Sequence, residues 1–335
     1  MKDFSSIIVS SKVQLRRNLI GFEFPSMLTG DTGIKVLNKL ADNILKIDKD
    51  LKLYKMKTLP ELDVNVMREK GLISHRLIEC ENYGAVILSD DENISIMLNE
   101  QDHILESCTY SGLSLINAYD RLNAFDNQIL SKLDIAYDDS IGFLTSNINH
   151  VGTGLKASIT LFLPALTLTA RIKDIANSLS NQGIEFVSLG DEQIASSYTF
   201  TISNAYTIGK KENEYVVRLT EIAIKISEME IRARTELMSQ RHVDDVKDKV
   251  FRAFGVLTNC FKISDREASD LLGEIKMGIA LDLIRFKEVD FIENLLYDIK
   301  PYSLTKISES KVTIAELDKY RAKFLANILK TKRIK

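Results

Sequence analysis

Apolar residues recur every three to four positions along three long stretches of the chain, which is the spacing of one helix face. Residues 33–53 carry this repeat on positions such as Val36 and Leu40, and residues 113–133 show it again. From 216 to 238 the repeat continues without a break. That pattern predicts one long amphipathic helix.

Between these predicted helices the pattern is typical of strands. Residues 85–88 (AVIL) and 94–98 (ISIML) are apolar runs on either side of the turn-forming segment SDDEN, which predicts a hairpin. Residues 5–9 form a short strand candidate. Residues 151–166 begin with glycines and continue with β-branched side chains, and residues 198–208 alternate polar and apolar positions.

Beyond residue 243 the periodicity is helical and strand signals are few. The change in pattern predicts a domain boundary near residue 240. We therefore expect an α+β body over residues 1–240 and an all-helical domain over residues 241–335, a division that a length of 335 residues allows.

Composition narrows the class of protein. The chain is 45% apolar and 27% charged, as in ordinary globular proteins, and its net charge of −3 gives no overall basic field for nucleic acid or an anionic membrane. Three cysteines at no metal-ligand spacing make a disulfide framework or a bound metal improbable. With no targeting or membrane-spanning pattern, we expect a soluble, cytoplasmic protein without nucleic-acid or membrane partners.

Two segments carry candidate chemistry when the residues are considered alone. Acidic residues and a histidine follow the strand ISIML directly, at residues 99–103; a solvated turn is an equally good interpretation. The glycine-rich residues 152–156 could wrap backbone N–H groups around a phosphate beside Lys156. An ordinary tight turn is favoured there, because no known phosphate-loop pattern is matched.

The order of several longer motifs is more specific. The chain contains, in this order, SSKVQLRRN, MLNEQDHI, GFLTSNINHVGTGLKASITLFLPAL and ISNAYTIGKKE, followed by DKVFRAFGVLTNC and EIKMGIALDLI. This series resembles the bacterial protein arginine kinases of the guanidino (phosphagen) kinase superfamily. The resemblance implies an antiparallel sheet flanked by helices, an all-helical C-terminal domain, and transfer of the γ-phosphoryl group of Mg-ATP to a guanidinium.

The residues that this family uses are partly replaced. Of the two phosphate-facing arginines in Ser-Ser-Arg-x-Arg, one is Lys12 and the other Gln14, and a further ATP-contacting arginine is Leu105. A nucleotide-contacting histidine matches Gly71. The ATP-binding positions that the resemblance implies are Ser10, Ser11, Lys12, Gln14, Leu105, Lys156, Ala157 and Ser158.

The catalytic positions are affected as well. The second glutamate of the family's Asn-Glu-Glu-Asp-His motif, its expected base, is Gln101, and the reactive cysteine matches Asn147. The catalytic positions that the resemblance implies are Glu100, Gln101, Asn147, Asp191 and Glu192.

These replacements predict a catalytically impaired protein or a pseudokinase that acts through binding. An active kinase is the alternative: Lys12 and Lys156 would then suffice, Arg16 or Arg17 would replace a lost arginine, and Glu100 would serve as base. A kinase for free arginine is a weaker third interpretation, because the C-terminal half resembles the protein-directed branch.

The resemblance also implies a phosphoarginine pocket in the C-terminal domain. Asp318 and Arg321 match two of its positions and are expected on one side of a helix, with Arg321 exposed; an ordinary ion pair is the equal alternative. The implied partners are a Clp ATPase, a heat-shock repressor, and a kinase activator or companion arginine kinase. A homodimer or a higher oligomer is expected.

Overall fold

The structure is a computed structural model that describes residues 4–80, 82–190, 198–239, 243–288, 291–309 and 312–334. Strands are interspersed with helices up to Asn204, and only helices follow in the described part of the chain. The strands are β1 (Ile8–Arg17), β2 (Lys52–Lys55), β3 (Ala85–Leu88), β4 (Ile94–Leu98), β5 (Ile104–Ser111), β6 (Tyr137–Asp138), β7 (Gly142–Phe143), β8 (Leu155–Phe162), β9 (Ile184–Ser188) and β10 (Thr199–Asn204).

Of the α-helices that the structure describes, six precede the last strand and six follow it. They are α1 (Gly30–Ile44), α2 (Glu61–Glu69), α3 (His75–Glu79), α4 (Leu115–Leu130), α5 (Pro164–Leu168), α6 (Ile172–Ser180), α7 (Glu212–Ser239), α8 (Val243–Asn259), α9 (Asp265–Ala280), α10 (Phe291–Asp298), α11 (Pro301–Ile307) and α12 (Leu317–Lys332). The predicted α+β fold followed by helices is confirmed.

Within the described residues, eight strands form one sheet in the order β2-β3-β4-β5-β1-β8-β10-β9, and β6 and β7 form a separate small pair. The predicted hairpin is present as β3 and β4, which are antiparallel. Strand β1 also runs antiparallel to β5, with Arg16 opposite Leu105 and Leu15 opposite Glu106.

The two faces of β1 differ in character because neighbouring side chains of a strand point to opposite sides. Val13 and Leu15 are fully buried, and helix α4 packs against β1 and β5. Lys12, Gln14 and Arg16 occupy the alternate positions and therefore face the other side of the sheet. This second face carries the candidate site.

The chain divides into two compact units. One consists of Met1–Thr160, Ser178–Phe186 and Ile202–Ile224, and the other contains Leu161–Asn177, Val187–Thr201 and Lys225–Lys335. In the second unit α8 packs against α9 and α12, and the hydroxyl of Ser264 caps α9 by accepting a hydrogen bond from the backbone N–H of Glu267. The division at residue 240 stays a prediction. In the part of the chain that the structure describes, no helix is long and apolar enough to cross a bilayer.

Candidate active site

The candidate site begins with the polar residues of β1. Lys12 Nζ lies 3.5 Å from the carbonyl oxygen of Gly71, and Ser158 Oγ donates a hydrogen bond to the carbonyl of Lys12 at 3.4 Å. Burial lowers the pKa of Lys12, and the positive charge of Arg16 lowers it further. Three segments that the family motifs associate with ATP therefore meet here. Gln14, half-buried between Lys12 and Arg16, brings no charge.

The acidic segment after β4 is a buried, tightly held loop. Asn99 has a positive φ of 57°, and its side-chain amide donates to the carbonyls of Gly33 at 3.1 Å and Tyr83 at 3.0 Å. Glu100 is 7% exposed and accepts a hydrogen bond from Ser74 Oγ at 2.7 Å. The interpretation of this segment as a solvated turn is wrong, because these partners enclose it.

Asp102 and His103 continue the same loop. Asp102 Oδ1 accepts hydrogen bonds from Asn18 Nδ2 at 2.6 Å and from the backbone N–H of Ser146 at 2.7 Å. Its other oxygen, Oδ2, lies 3.9 Å from Arg16 Nε. Burial lowers the pKa of His103 to about 4, so that its imidazole is neutral at pH 7.

Gln101 and Asn147, two of the predicted catalytic positions, lie on adjoining loops. The carbonyl of Gln101 accepts a hydrogen bond from Ser146 Oγ at 2.7 Å, which joins the two loops. Asn147 accepts a hydrogen bond from the N–H of Asn149 at 3.0 Å and thereby caps a short 3₁₀ helix. Both side chains are carboxamides, which neither accept a proton nor act as nucleophiles at neutral pH.

Leu105 lies on the same face as Arg16, one strand away, and is 5% exposed. It belongs to an apolar cluster that fills this edge of the sheet. The other buried members are Met56, Val64, Ile73, Leu77, Val86, Leu88 and Met97. At this predicted ATP-binding position the chain therefore has part of a hydrophobic core.

Lys156 is engaged by protein acceptors. Its ammonium pairs with Glu185 and donates to the carbonyl of Asn204 at 2.8 Å. Sequence reasoning missed Glu185, because only the sheet order places β9 within reach of a lysine on β8. The predicted acids Asp191 and Glu192 lie outside the described residues.

The remaining predicted ATP-binding positions lie in the sheet, and two of them form hydrogen bonds to neighbouring segments of the chain. Ser11 is buried and donates to the carbonyl of Gly112 at 2.7 Å, and Ala157 N–H donates to Asn204 Oδ1 at 2.7 Å. Ser10 is half-buried and precedes Lys12 on the same face of β1. These contacts hold the strand ends that border the site.

The glycine-rich turn fastens β8 to β1. Gly154 has a φ of 70°, and a Cβ there would lie 2.6 Å from Arg17 Nη1. Its carbonyl accepts a hydrogen bond from Arg16 N–H at 3.1 Å, and its own N–H donates to the carbonyl of His150 at 3.1 Å. With its N–H used inside the turn, Gly154 favours the tight-turn interpretation of residues 152–156.

Arg17 is a structural residue. It is 1% exposed and holds Asp126 through two hydrogen bonds, Nε to Oδ1 at 3.1 Å and Nη2 to Oδ2 at 2.6 Å. Its Nη1 donates to the carbonyl of Thr153 at 2.9 Å, and the guanidinium lies 3.6 Å from the centre of the Phe143 ring. Of the two predicted substitutes, Arg17 is therefore committed to the fold.

The expected exposure of Arg321 is wrong. This arginine is 2% exposed, and it donates to the carbonyls of Ile299 at 2.9 Å and Ile263 at 2.8 Å as well as to Asp318 Oδ1 at 2.5 Å. These bonds tie α12 to the ends of two other segments of its unit. Only Asp318, whose side chain is 50% exposed, faces solvent, and the phosphoarginine pocket stays a prediction.

Comparison with known proteins identifies the family. Residues 34–233 match the family described as ATP:guanido phosphotransferase, C-terminal catalytic domain, and residues 243–335 match the protein-arginine kinase McsB C-terminal domain. A protein-arginine kinase of Caldanaerobacter subterraneus is 34% identical over 97% of this chain and 98% of its own length. One of Geobacillus kaustophilus is 33% identical over 97% of this chain and 91% of its own.

Solved structures agree at the level of the fold. The duplicated taurocyamine kinase of Schistosoma mansoni, with transition-state analogue components bound, has a TM-score of 0.65 at 19% identity. The match covers 78% of this chain and 40% of that longer chain. A lombricine kinase has a TM-score of 0.60 at 18% identity, over 70% of this chain and 69% of its own. The chain belongs to the ATP:guanido phosphotransferase family and is a McsB-like relative of the protein-arginine kinases.

Proposed function

We propose that this chain is a catalytically impaired protein-arginine kinase homologue, which transfers phosphate slowly or not at all and acts by binding. The observation that carries the proposal is the burial of Leu105 in an apolar cluster. An arginine there would bring charge to the transferred group. Leu105 brings none, and the buried side chains packed around it are apolar.

The chemistry of the family explains why this position matters. Phosphoryl transfer from ATP spreads negative charge over the phosphate oxygens, and catalysis rests mainly on positioning and on stabilisation by cations. Loss of one preorganised charge donor costs about 10²–10³ in rate, and losses within one group of residues are not additive. Gln101 adds to the deficit, since an amide accepts no proton at neutral pH.

The residues that remain fit nucleotide phosphates in part. Lys12 and Arg16 offer positive charge on one face of β1, whereas Lys156 already pairs with Glu185. Among the residues that the structure describes, no three His, Cys, Asp or Glu side chains are grouped so as to hold a metal ion. Mg²⁺ in such sites is bound largely through the substrate's phosphates.

The binding role that we propose follows the family's biology. A Clp ATPase, a heat-shock repressor, and a kinase activator or companion arginine kinase are the proposed protein partners, and the cytoplasm is the proposed location. Assembly into a homodimer or a larger oligomer belongs to the same proposal. The preserved match of residues 243–335 to the family's C-terminal domain supports it.

An active protein-arginine kinase is the second candidate. The relatives favour it over impairment, because curated proteins about a third identical over nearly the full chain are protein-arginine kinases. Glu100 favours it too: this carboxylate is buried and held by Ser74 Oγ at 2.7 Å, as a positioned base would be.

Radiolabelled phosphoryl transfer from Mg-ATP to an arginine-rich protein, scored as acid-labile phosphoarginine, separates the two candidates. The test variant restores five family residues together, and a control carries Lys46→Arg and Lys132→Arg at exposed sites. The five changes are Lys12→Arg, Gln14→Arg, Gln101→Glu, Leu105→Arg and Lys156→Arg.

We expect the unmodified chain and the control to transfer at least about 100-fold more slowly than the restored variant. A four-site variant that keeps Leu105 guards against misfolding, because an arginine in the apolar cluster is destabilising. Equal, rapid transfer by the unmodified and restored proteins would establish the active kinase instead.

A further inference from the structure

Two of the three side-chain nitrogens of Arg16 are buried without a hydrogen-bond partner in the described part of the chain. The residue is 8% exposed, and among the described residues neither Nε nor Nη1 has a hydrogen-bond partner. A buried guanidinium without acceptors is costly, and most buried polar groups have partners. An arginine in this state indicates a ligand that completes its contacts.

Asp102 does not complete them. Its Oδ2 lies 3.9 Å from Arg16 Nε, which is beyond hydrogen-bonding distance, and this oxygen has no hydrogen-bond partner among the residues that the structure describes. Its Oδ1 is already used by Asn18 and Ser146. The carboxylate therefore offsets the positive charge of Arg16 at a distance and leaves its donors available.

Two further cations and two carboxylates lie around Arg16. Lys12 is on the same face of β1, and Lys156, which pairs with Glu185, is on the adjoining strand β8. Asp102 and Glu100 carry the negative charges that act on Arg16. His150 Nδ1 is buried without a hydrogen-bond partner in the described structure, and the charges of Arg16 and Lys156 both act on this imidazole. Arg16 and His150 therefore both present buried nitrogens without a partner in the described structure, and an anion bound between them could accept hydrogen bonds from Arg16.

The position of Arg16 explains which anion fits. Arg16 pairs in register with Leu105, and directly opposed residues of antiparallel strands place their side chains on the same face about 5 Å apart. A guanidinium can therefore reach, from β1, much of the space that an arginine at position 105 would reach from β5. Its planar fork suits two oxygens of one phosphate group.

We propose that Arg16 binds the polyphosphate of the nucleotide and takes the place of the arginine that Leu105 replaces. The inference rests on the proposed function, because it assigns phosphate binding to the same face of the sheet. Its prediction differs from that of the proposed function, because nucleotide phosphates are bound through Arg16 even when phosphoryl transfer is slow. The side chain retains 10% exposure, through which an anion gains access to it.

The test measures binding without transfer. Calorimetric titrations with sodium triphosphate and with ADP, both free of Mg²⁺ and at low salt, compare the wild type with Arg16→Gln and Arg16→Lys. Lys132→Gln is the matched control, because it removes an exposed positive charge beyond α4, away from this face. Urea unfolding of each variant reports folding separately.

We expect Arg16→Gln to weaken triphosphate binding at least about tenfold, Arg16→Lys to weaken it less, and the control to change nothing. Unchanged affinity in Arg16→Gln together with lower stability would overturn the proposal and leave Arg16 as the ion-pair partner of Asp102. Absence of triphosphate binding by the wild type would also overturn it. Rapid phosphoryl transfer would refute impairment alone and leave the assignment of Arg16 standing.

Discussion

Two consecutive arginines of β1 face opposite sides of the sheet and differ in nearly every contact. Arg17 holds Asp126 through two hydrogen bonds, and its Nη1 donates to the carbonyls of Arg16 and Thr153, each at 2.9 Å. Arg16 has two buried nitrogens without a partner in the described structure. Residue type and burial alone therefore do not separate an arginine of the fold from one available to a ligand; the number of satisfied donors does.

The face of Arg17 is also crowded with acids. Glu106 and Glu212 lie near Asp126, and Arg17 Nη2 is 3.6 Å from Glu212 Oε1. Burial raises the pKa of Glu106 well above its ordinary value, repulsion from Asp126 raises it further, and the charge of Arg17 acts in the opposite direction. Arg17 thus holds together a group of carboxyls that would otherwise repel.

The matched substitutions Arg17→Gln and Arg16→Gln test most directly whether the two arginines differ in their contribution to stability. Arg17→Gln leaves Asp126 as an uncompensated buried charge, so we expect a loss of about 3–5 kcal/mol in the free energy of unfolding. Arg16→Gln breaks no hydrogen bond to Asp102, which keeps those from Asn18 and Ser146, and should change it by about 1 kcal/mol or less. Urea unfolding measures both, and equal losses would show that Arg16 is as structural as its neighbour.

Sequence patterning predicted the elements better than their ends. The helix predicted over residues 33–53 is present as α1 but ends at Ile44. The reason is local: Asp48 accepts a hydrogen bond from the N–H of Asp50 at 3.0 Å, a turn that competes with helix, and β2 begins at Lys52. The predicted helix over 216–238 begins four residues earlier, at Glu212.

The contacts of the site could be predicted only in part. Strand alternation alone places Arg16 and Arg17 on opposite faces, and Asp126, a charge on the apolar stripe of α4, is a sequence signal for a buried ion pair. That Asp126 meets Arg17, 109 positions away, depends on the packing of α4. The apolar surroundings of Leu105 come from α2, α3 and the strands β3 and β4, which no local motif links to it.

Arg321 extends the comparison to a third buried arginine. Arg321→Ala leaves the carbonyls of Ile263 and Ile299 without this donor, so we expect a loss of about 3 kcal/mol in unfolding free energy. Asp318→Asn, the matched change at its half-exposed partner, should cost about 1 kcal/mol or less. Urea unfolding with circular dichroism measures both, and a stable Arg321→Ala protein would return this residue to the list of candidates for ligand binding.

Gly154 lies against both arginines, so a substitution there tests whether one turn holds both in place. A Cβ at this position would lie 2.6 Å from Arg17 Nη1 and 2.7 Å from the carbonyl oxygen of Arg16, and a φ of 70° is unfavourable for alanine. We expect Gly154→Ala to cost about 2 kcal/mol in thermal unfolding. Gly21→Ala is the control, because it shares a positive φ of 79° but has open space around it. Equal losses in the two variants would mean that backbone strain, and not contact with the arginines, dominates.

Glu106→Gln is expected to have the smallest effect on stability, and it tests the group of carboxyls near Arg17 through its pH dependence. Its pKa is raised in the folded state, so between its unfolded and folded pKa values the native protein binds more protons than the unfolded chain. The stability contributed by this carboxyl is therefore complete at low pH and is lost as the pH rises. Glu106→Gln does not ionise and lacks this loss. The difference in unfolding free energy should be small at pH 4 and should increasingly favour the variant toward pH 8.

Urea unfolding from pH 4 to pH 8 measures this difference in unfolding free energy, with Glu221→Gln as the control that removes an exposed acid from α7. A variant less stable than the wild type at pH 8 would mean that the ionised Glu106 is itself held by Arg17, and the carboxyls facing α4 would then be as fully compensated as Asp126.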